Sequence, residues 1–271
     1  MKKALNIAGW VVGVLLLFVL VGFTENELAK VPYQNLNINI DTEGGNFFVN
    51  QDEISRAFIN RGYESGTVAL QDINIKDLET FFDQYPSVKK SQVYTSIDGT
   101  VYIQIMQRRP IARIYSNNGD SYYMDEEGWL MPLSPSYTSR VPVVNGQINA
   151  PFNLYYSINF AEEDSINTDI PGQKRLHELF LVVSAINKSK LWDAQFNQLY
   201  FNTDGEMELI PRVGNHTILI GNAQSIEEKL NKLHLFYKEG LNKIGWNAYS
   251  TINLKYKDQV VCTKRTHYGI N

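Results

Sequence analysis

The stretch Gln107 to Gly128, QRRPIARIYSNNGDSYYMDEEG, holds Arg108, Arg109 and Arg113 and then Asp125, Glu126 and Glu127. Paired carboxylates run glycoside hydrolysis, one as acid and the other as base or nucleophile. The spacing here argues against that chemistry. Neighbouring residues of a strand point to opposite faces, so adjacent acids cannot converge on one substrate. Gly128 follows at once and marks a β-turn. The plain reading is a turn acid with solvated charge beside it.

The other reactive residue types give no constellation. His177, His216, His234 and His267 make no pair at metal-ligand spacing. His177 and His234 fall on the polar sides of expected helices. Cys262 is the one cysteine, so neither an intrachain disulfide nor a cysteine zinc site can form. In an apolar strand segment it reads as a small hydrophobe rather than a nucleophile. No G-x-S-x-G elbow, S-x-x-K or phosphate-cradling glycine loop occurs. The expectation is a protein that is not an enzyme, with no metal, no cofactor and no small-molecule substrate. A net charge of −4 and the lack of a basic run beyond the N-terminus speak against nucleic acid as well.

What remains is architecture. No charged side chain lies between Lys3 and Glu25. At ~1.5 Å per residue, about twenty helical residues cross the ~30 Å hydrocarbon core. Lys2 and Lys3 precede the run, while Glu25 and Glu27 follow it. The positive-inside rule then puts the N-terminus in the cytoplasm and the rest outside. A cleaved signal peptide fits less well, because the run is long and lacks a small-x-small cleavage site. The expected layout is a cytoplasmic tail 1–4, a transmembrane helix 5–23, a polar linker 24–35, one domain over 36–109 and another over 110–271.

In the first domain LNINI alternates as a strand. Asn50 with Glu53 opens a helix through Asn60, and Asn74 opens a second, from Ile75 to about Gln84. Two strands joined at Asp98-Gly99 complete a β-α-α-β-β unit. A three-residue loop sets Val101 opposite Thr95 and Ile103 opposite Val93, which gathers the apolar residues on one face. The second domain reads as short strands, a helix over 171–187, a hairpin pairing Phe201 with Met207, a helix over 225–244 and two closing strands. Leu176, Leu179, Phe180, Val183 and Ile186 form the apolar stripe of the first helix, and Ile226, Leu230, Leu233, Tyr237, Leu241 and Ile244 lie on one face of the second. Fold class is therefore α+β: a single transmembrane helix, a small β-α-α-β-β domain, and a β-rich domain with a mixed or antiparallel sheet and flanking helices.

These parts, in this order, resemble the FtsQ/DivIB family of bacterial division proteins. IQIMQRRPIARI is similar to the junction where the last POTRA strand runs into the β domain, which makes Arg108, Arg109 and Pro110 joint residues. YYMDEEGWLMP resembles the family's Asp-x-x-Gly turn, with Asp125 and Gly128 in the matching places. VPVVNG, the hairpin through EMELIPRV, and STINLKYKDQVV resemble later segments, with Asn253 and Lys255 replacing an Asp and an Arg. The resemblance implies a non-enzymatic bitopic scaffold of the inner membrane, gathered at the septum. Its implied partners are FtsB- and FtsL-like bitopic proteins, with the septal synthase as a further one. Contact would run by β-augmentation on a C-terminal edge strand. In this chain that edge is Gln259, Val260, Val261, Cys262, Thr263 and Lys264, supported by Ile252, Leu254 and Tyr256. Rival readings are an anchored envelope module that binds cell-wall glycan or peptide, and an enzyme acting on it.

Overall fold

A computed structural model describes residues 10–17, 19, 31–42 and 45–265. The expected tail 1–4 and most of the linker lie outside the described residues, and so does much of the span 5–23. Residues 10–17 and 19 are helical. Among the described residues no helix is long and apolar enough to cross a membrane. The chain divides into two compact units, one ending at Gln107 and one starting at Arg108.

The first unit runs β1 (Asn35–Ile40), α1 (Gln51–Asn60), α2 (Ile75–Asp83), β2 (Val88–Thr95) and β3 (Thr100–Gln107). β3 is central, parallel to β1 and antiparallel to β2. The hairpin register is the expected one, Thr95↔Val101 and Val93↔Ile103. Both caps form as read: the Asn50 side chain accepts from the Asp52 amide and Asn74 from the Asp77 amide. Each satisfies an otherwise orphaned donor of the first turn. Leu36, Ile38 and Ile40 alternate toward the helices, where Ile54, Phe58, Leu78 and Phe82 are fully buried. Residues 31–34, read as linker, are tied into this unit. The Tyr33 amide donates to Val68 O, Leu70 N donates to Val31 O, and the buried Tyr33 ring meets Phe58 edge-on at 5.5 Å.

The second unit runs β4 (Pro110–Tyr115), β5 (Ser121–Asp125), β6 (Leu130–Met131), β7 (Val143–Gly146), α3 (Phe152–Tyr155), α4 (Pro171–Asn187), α5 (Lys190–Gln195), β8 (Phe196–Phe201), β9 (Met207–Pro211), β10 (Thr217–Gly221), α6 (Ile226–Phe236), β11 (Tyr249–Asn253) and β12 (Val261–Lys264). Among the described residues its nine strands form one mixed sheet in the order β12-β11-β10-β9-β8-β7-β4-β5-β6. The hairpins pair antiparallel, including Phe201↔Met207 as expected, while β4–β7, β7–β8 and β10–β11 are parallel. Apolar residues of the strands pack with Leu176, Leu179, Val183 and Ile186 of α4 and Leu230 and Leu233 of α6 into one core.

Three details differ from the sequence reading. The long helix expected over 225–244 is regular only to Phe236, and Tyr237–Leu241 widens into a π turn around Gly240. The wider turn keeps Tyr237 and Leu241 buried but rotates Ile244 out, to 58% exposure, because every later residue loses its place in the 3.6-residue register. On α4, Val182 is buried in place of Phe180, which stays half-buried. Gln259 and Val260 precede the last strand, which starts at Val261.

Candidate functional site

β11 and β12 are built from β-branched and small polar residues, YSTIN and VCTK, around a turn in which Asp258 takes a left-handed φ of 59°. Such residues fit a half-buried pleated surface. The pair is antiparallel, Thr251↔Thr263, Ile252↔Cys262 and Asn253↔Val261, and the Thr251 hydroxyl donates to that of Thr263 at 2.8 Å. Ile252 and Leu254 are fully buried and anchor the sheet. Val260 and Cys262 pack partly against the same core, while Val261 and Thr263 are exposed. Lys264, Gln259 and Tyr256 are exposed too.

Backbone direction decides what the edge offers. Leu254 N donates to Leu219 O across to β10. Alternation then turns the backbone of Thr251 and Asn253 toward β12, so their partners Thr263 and Val261 bond back to β11. The N–H and C=O of Cys262 therefore face away from the sheet. Among the described residues β12 has one strand neighbour, β11. β2 shows the contrasting case of a closed edge. There the Ser91 and Val93 amides donate to Asp83 Oδ1 at 2.6 Å and Glu79 Oε1 at 2.9 Å, both on α2. Carboxylates stand where a partner strand's carbonyls would, a known way to protect an edge.

At the β11–β12 turn lies a cleft of about 700 Å³, formed by that turn, α6 and the segment that links β10 to α6. Two of its lysines are held by backbone oxygens. Lys229 Nζ donates to Ile220 O at 3.0 Å and Asn222 O at 2.9 Å, and Lys232 Nζ donates to Leu254 O and Tyr256 O. Lys255 pairs with Glu206 at 2.8 Å. That hydrogen bond raises the lysine's pKa. Asn253 Oδ1 accepts from the Lys255 amide at 3.0 Å. Nothing local to Lys255 announced Glu206, which arrives from the turn between β8 and β9. Burial raises the Cys262 thiol pKa, which keeps it protonated at neutral pH and a poor nucleophile.

The end of β12 is fastened from below. Arg265 N donates to Ala248 O at 3.0 Å and its guanidinium donates to Asn215 O. The next residue, His216, is buried, with Nε2 3.0 Å from the Tyr237 hydroxyl and Tyr237 edge-on to Trp246. Sequence reasoning passed over His216 because a lone histidine before a strand carries no spacing signal. Burial lowers its pKa below 6.5, the Trp246 backbone opposes that, and Arg265 adds to the fall. A histidine that is harder to protonate when folded stabilises the fold in full above its unfolded pKa. The contribution is lost as pH drops below about 6.5, by at most about 1.4 kcal/mol per pH unit for one proton. Melting temperatures of the protein should be flat above that pH and decline below it, with the decline shallower in His216→Gln. An unchanged slope in that variant would assign the acid sensitivity elsewhere.

The acid cluster of the opening stretch is structural. Asp125 is 1% exposed, a correction to its reading as a solvated turn acid. Its Oδ2 accepts from Arg108 at 2.8 Å, and its Oδ1 accepts from the Glu127 and Trp129 amides at 3.0 and 2.7 Å. Burial raises its pKa against the pull of these donors. Arg108 also reaches Glu127 at 3.7 Å and lies over the Trp129 ring. Pro110 is the first residue of β4, opposite Asp125, and Arg109 O accepts from the Glu126 amide. Gly128 N closes the turn onto Asp125 O. Arg108, Arg109, Pro110, Asp125 and Gly128 thus share one turn-and-strand corner at the start of the second unit.

Residues 109–263 match the family model described as FtsQ/DivIB, C-terminal related. Residues 34–106 match the model described as POTRA-like domain. None of the curated proteins matches the chain.

Proposed function

The chain belongs to the FtsQ/DivIB family, and from that premise we propose that it is a non-enzymatic scaffold of the bacterial division machinery whose working surface is the outer edge of β12. Residues 5–23 are the single membrane span, with the tail 1–4 in the cytoplasm. The polar linker that follows, the POTRA-like domain and the β domain lie outside, at the septum. Its partners are other bitopic division proteins of the FtsB and FtsL kind.

The observation that carries this reading is the outward backbone of Cys262 on a strand with one neighbour. A partner segment laid beside it would complete the ladder. Alternate residues face outward, so the four residues of β12 present at most two N–H and two C=O groups. At about 1 kcal/mol net for each bond, the ladder supplies roughly 4 kcal/mol. Micromolar affinity needs about 8 kcal/mol. The remainder must come from side chains, and the cleft under Tyr256, itself 49% exposed, is the adjoining surface able to supply it.

The test uses proline. Cys262→Pro removes the outward N–H and leaves the bonds of Val261 and Thr263 to β11, a placement proline tolerates on edge strands. Cys262→Ala is the control, because it trims the same side chain and keeps the N–H. Cells depleted of the protein should filament. Cys262→Ala should restore division, and Cys262→Pro should reach the membrane at normal abundance without restoring it. Normal cell length on depletion would remove the division role. Full rescue by the proline variant would remove the edge as the working surface and leave the family role standing.

A further inference from the structure

A second surface lies on the helices of the same unit. Residues 179–183 of α4 read Leu-Phe-Leu-Val-Val. Consecutive helix residues are turned by about 100°, so such a run is apolar all round and cannot bury every member in one core. Leu179, Val182 and Val183 go inward, while Phe180 stays half-buried and Leu181 is 39% exposed. With Ala185 on α4, Ala223 in the segment before α6 and Ile226 at its start, these two residues line a groove of about 530 Å³. The Ser184 hydroxyl lies in it, buried and, among the described residues, without a hydrogen-bond partner. The rim is acidic. Glu227 and Glu228 come from the first turn of α6 and Glu126 from the turn after β5, against the single base Lys188.

We propose that this groove docks an amphipathic helix of a partner protein, one whose apolar stripe is flanked by lysine or arginine. The α4 wall is helix interior whose backbone groups are already bonded, so an extended segment would gain no ladder along it and that wall rewards apolar side chains spaced on a helix. The rim selects the charge beside that stripe. An acidic rim repels anionic lipid headgroups. Two copies meeting groove to groove would set acids against acids. This surface is separate from the β12 edge and does not depend on it.

Two labelled peptides of about 16 residues, some four turns, would be titrated with full-length protein in zwitterionic nanodiscs, with empty nanodiscs subtracted. Both carry one leucine stripe, flanked by lysine in one and by glutamate in the other. The lysine peptide should bind at least about tenfold more tightly. Glu227→Lys with Glu228→Lys should reverse the order, and Leu181→Asp should weaken the lysine peptide by about tenfold or more. Leu181 is a surface residue, so its variant tests the groove even if charge reversal at the start of α6 perturbs folding. Equal binding of the two peptides, or indifference to Leu181→Asp, would overturn the proposal. Self-association of the protein that Leu181→Asp abolishes would overturn it as well and give the groove to a second copy.

Discussion

Gly146→Ala is expected to lower the stability of the second unit by about 4 kcal/mol, the sum of two costs of roughly 1–3 kcal/mol each. Gly146 ends β7 with φ near +100°, a conformation that charges any side chain a strain penalty. A Cβ built there would stand 2.1 Å from Phe201 O and 2.8 Å from Phe201 N. Phe201 is its partner on β8, and Gln147 N donates to Phe201 O at 2.8 Å, so the strands cannot part without losing the ladder. Gly119→Ala separates the costs. Gly119 has a similar φ of +95° with nothing within 4 Å of its Cβ position, so it carries the strain without the clash. Calorimetry should place the Gly146 variant roughly 10 °C below the parent and the Gly119 variant within a few degrees. Equal shifts would show that the β7–β8 contact yields.

Asp125→Ala should cost about 3–5 kcal/mol, the range for removing one partner of a buried ion pair. The substitution leaves Arg108, whose side chain is 15% exposed, beside Glu127 at the longer distance of 3.7 Å. It also strips the acceptor from the Glu127 and Trp129 amides. Asp125→Asn keeps an oxygen for those amides but turns a neutral group toward the guanidinium, so it should cost less than alanine and more than a surface change. Arg108→Met combined with Asp125→Leu should recover part of the loss by replacing the pair with packed apolar groups. Recovery stays partial because the turn amides remain unsatisfied. Denaturant unfolding of the three variants measures this order. Full recovery in the double variant would show that the amides contribute nothing.

How far these features were legible depends on the reach of the interaction behind each. The Asn50 and Asn74 caps and both hairpin registers came from residues within a few positions of one another. An Asx side chain beside free amides, or a two-residue period that must present one apolar face, is decided locally. Near the candidate site, alternation set Val260 and Cys262 against Val261 and Thr263, and the fold decided that the first two pack partly inward while the second two are exposed. Periodicity failed where a backbone change intervened, at the π turn around Gly240, and where a helix was apolar on every side, at Phe180.

Contacts between distant segments followed other rules. The parallel neighbours β4–β7, β7–β8 and β10–β11 join strands whose sequences contain no turn to specify the pairing. Asp125 looked solvated because its own neighbours are acids and a glycine. It is buried because the Arg108 fork, seventeen residues earlier, folds back over it. Lys255 meets Glu206 and His216 meets Tyr237 through chain reversals of the same kind. The residues of the last strand could be read as a strand from their types. Which of its backbone groups face outward follows from a bond two strands away, Leu254 N to Leu219 O, because hydrogen-bond direction in a sheet passes from strand to strand and is written in none of them singly.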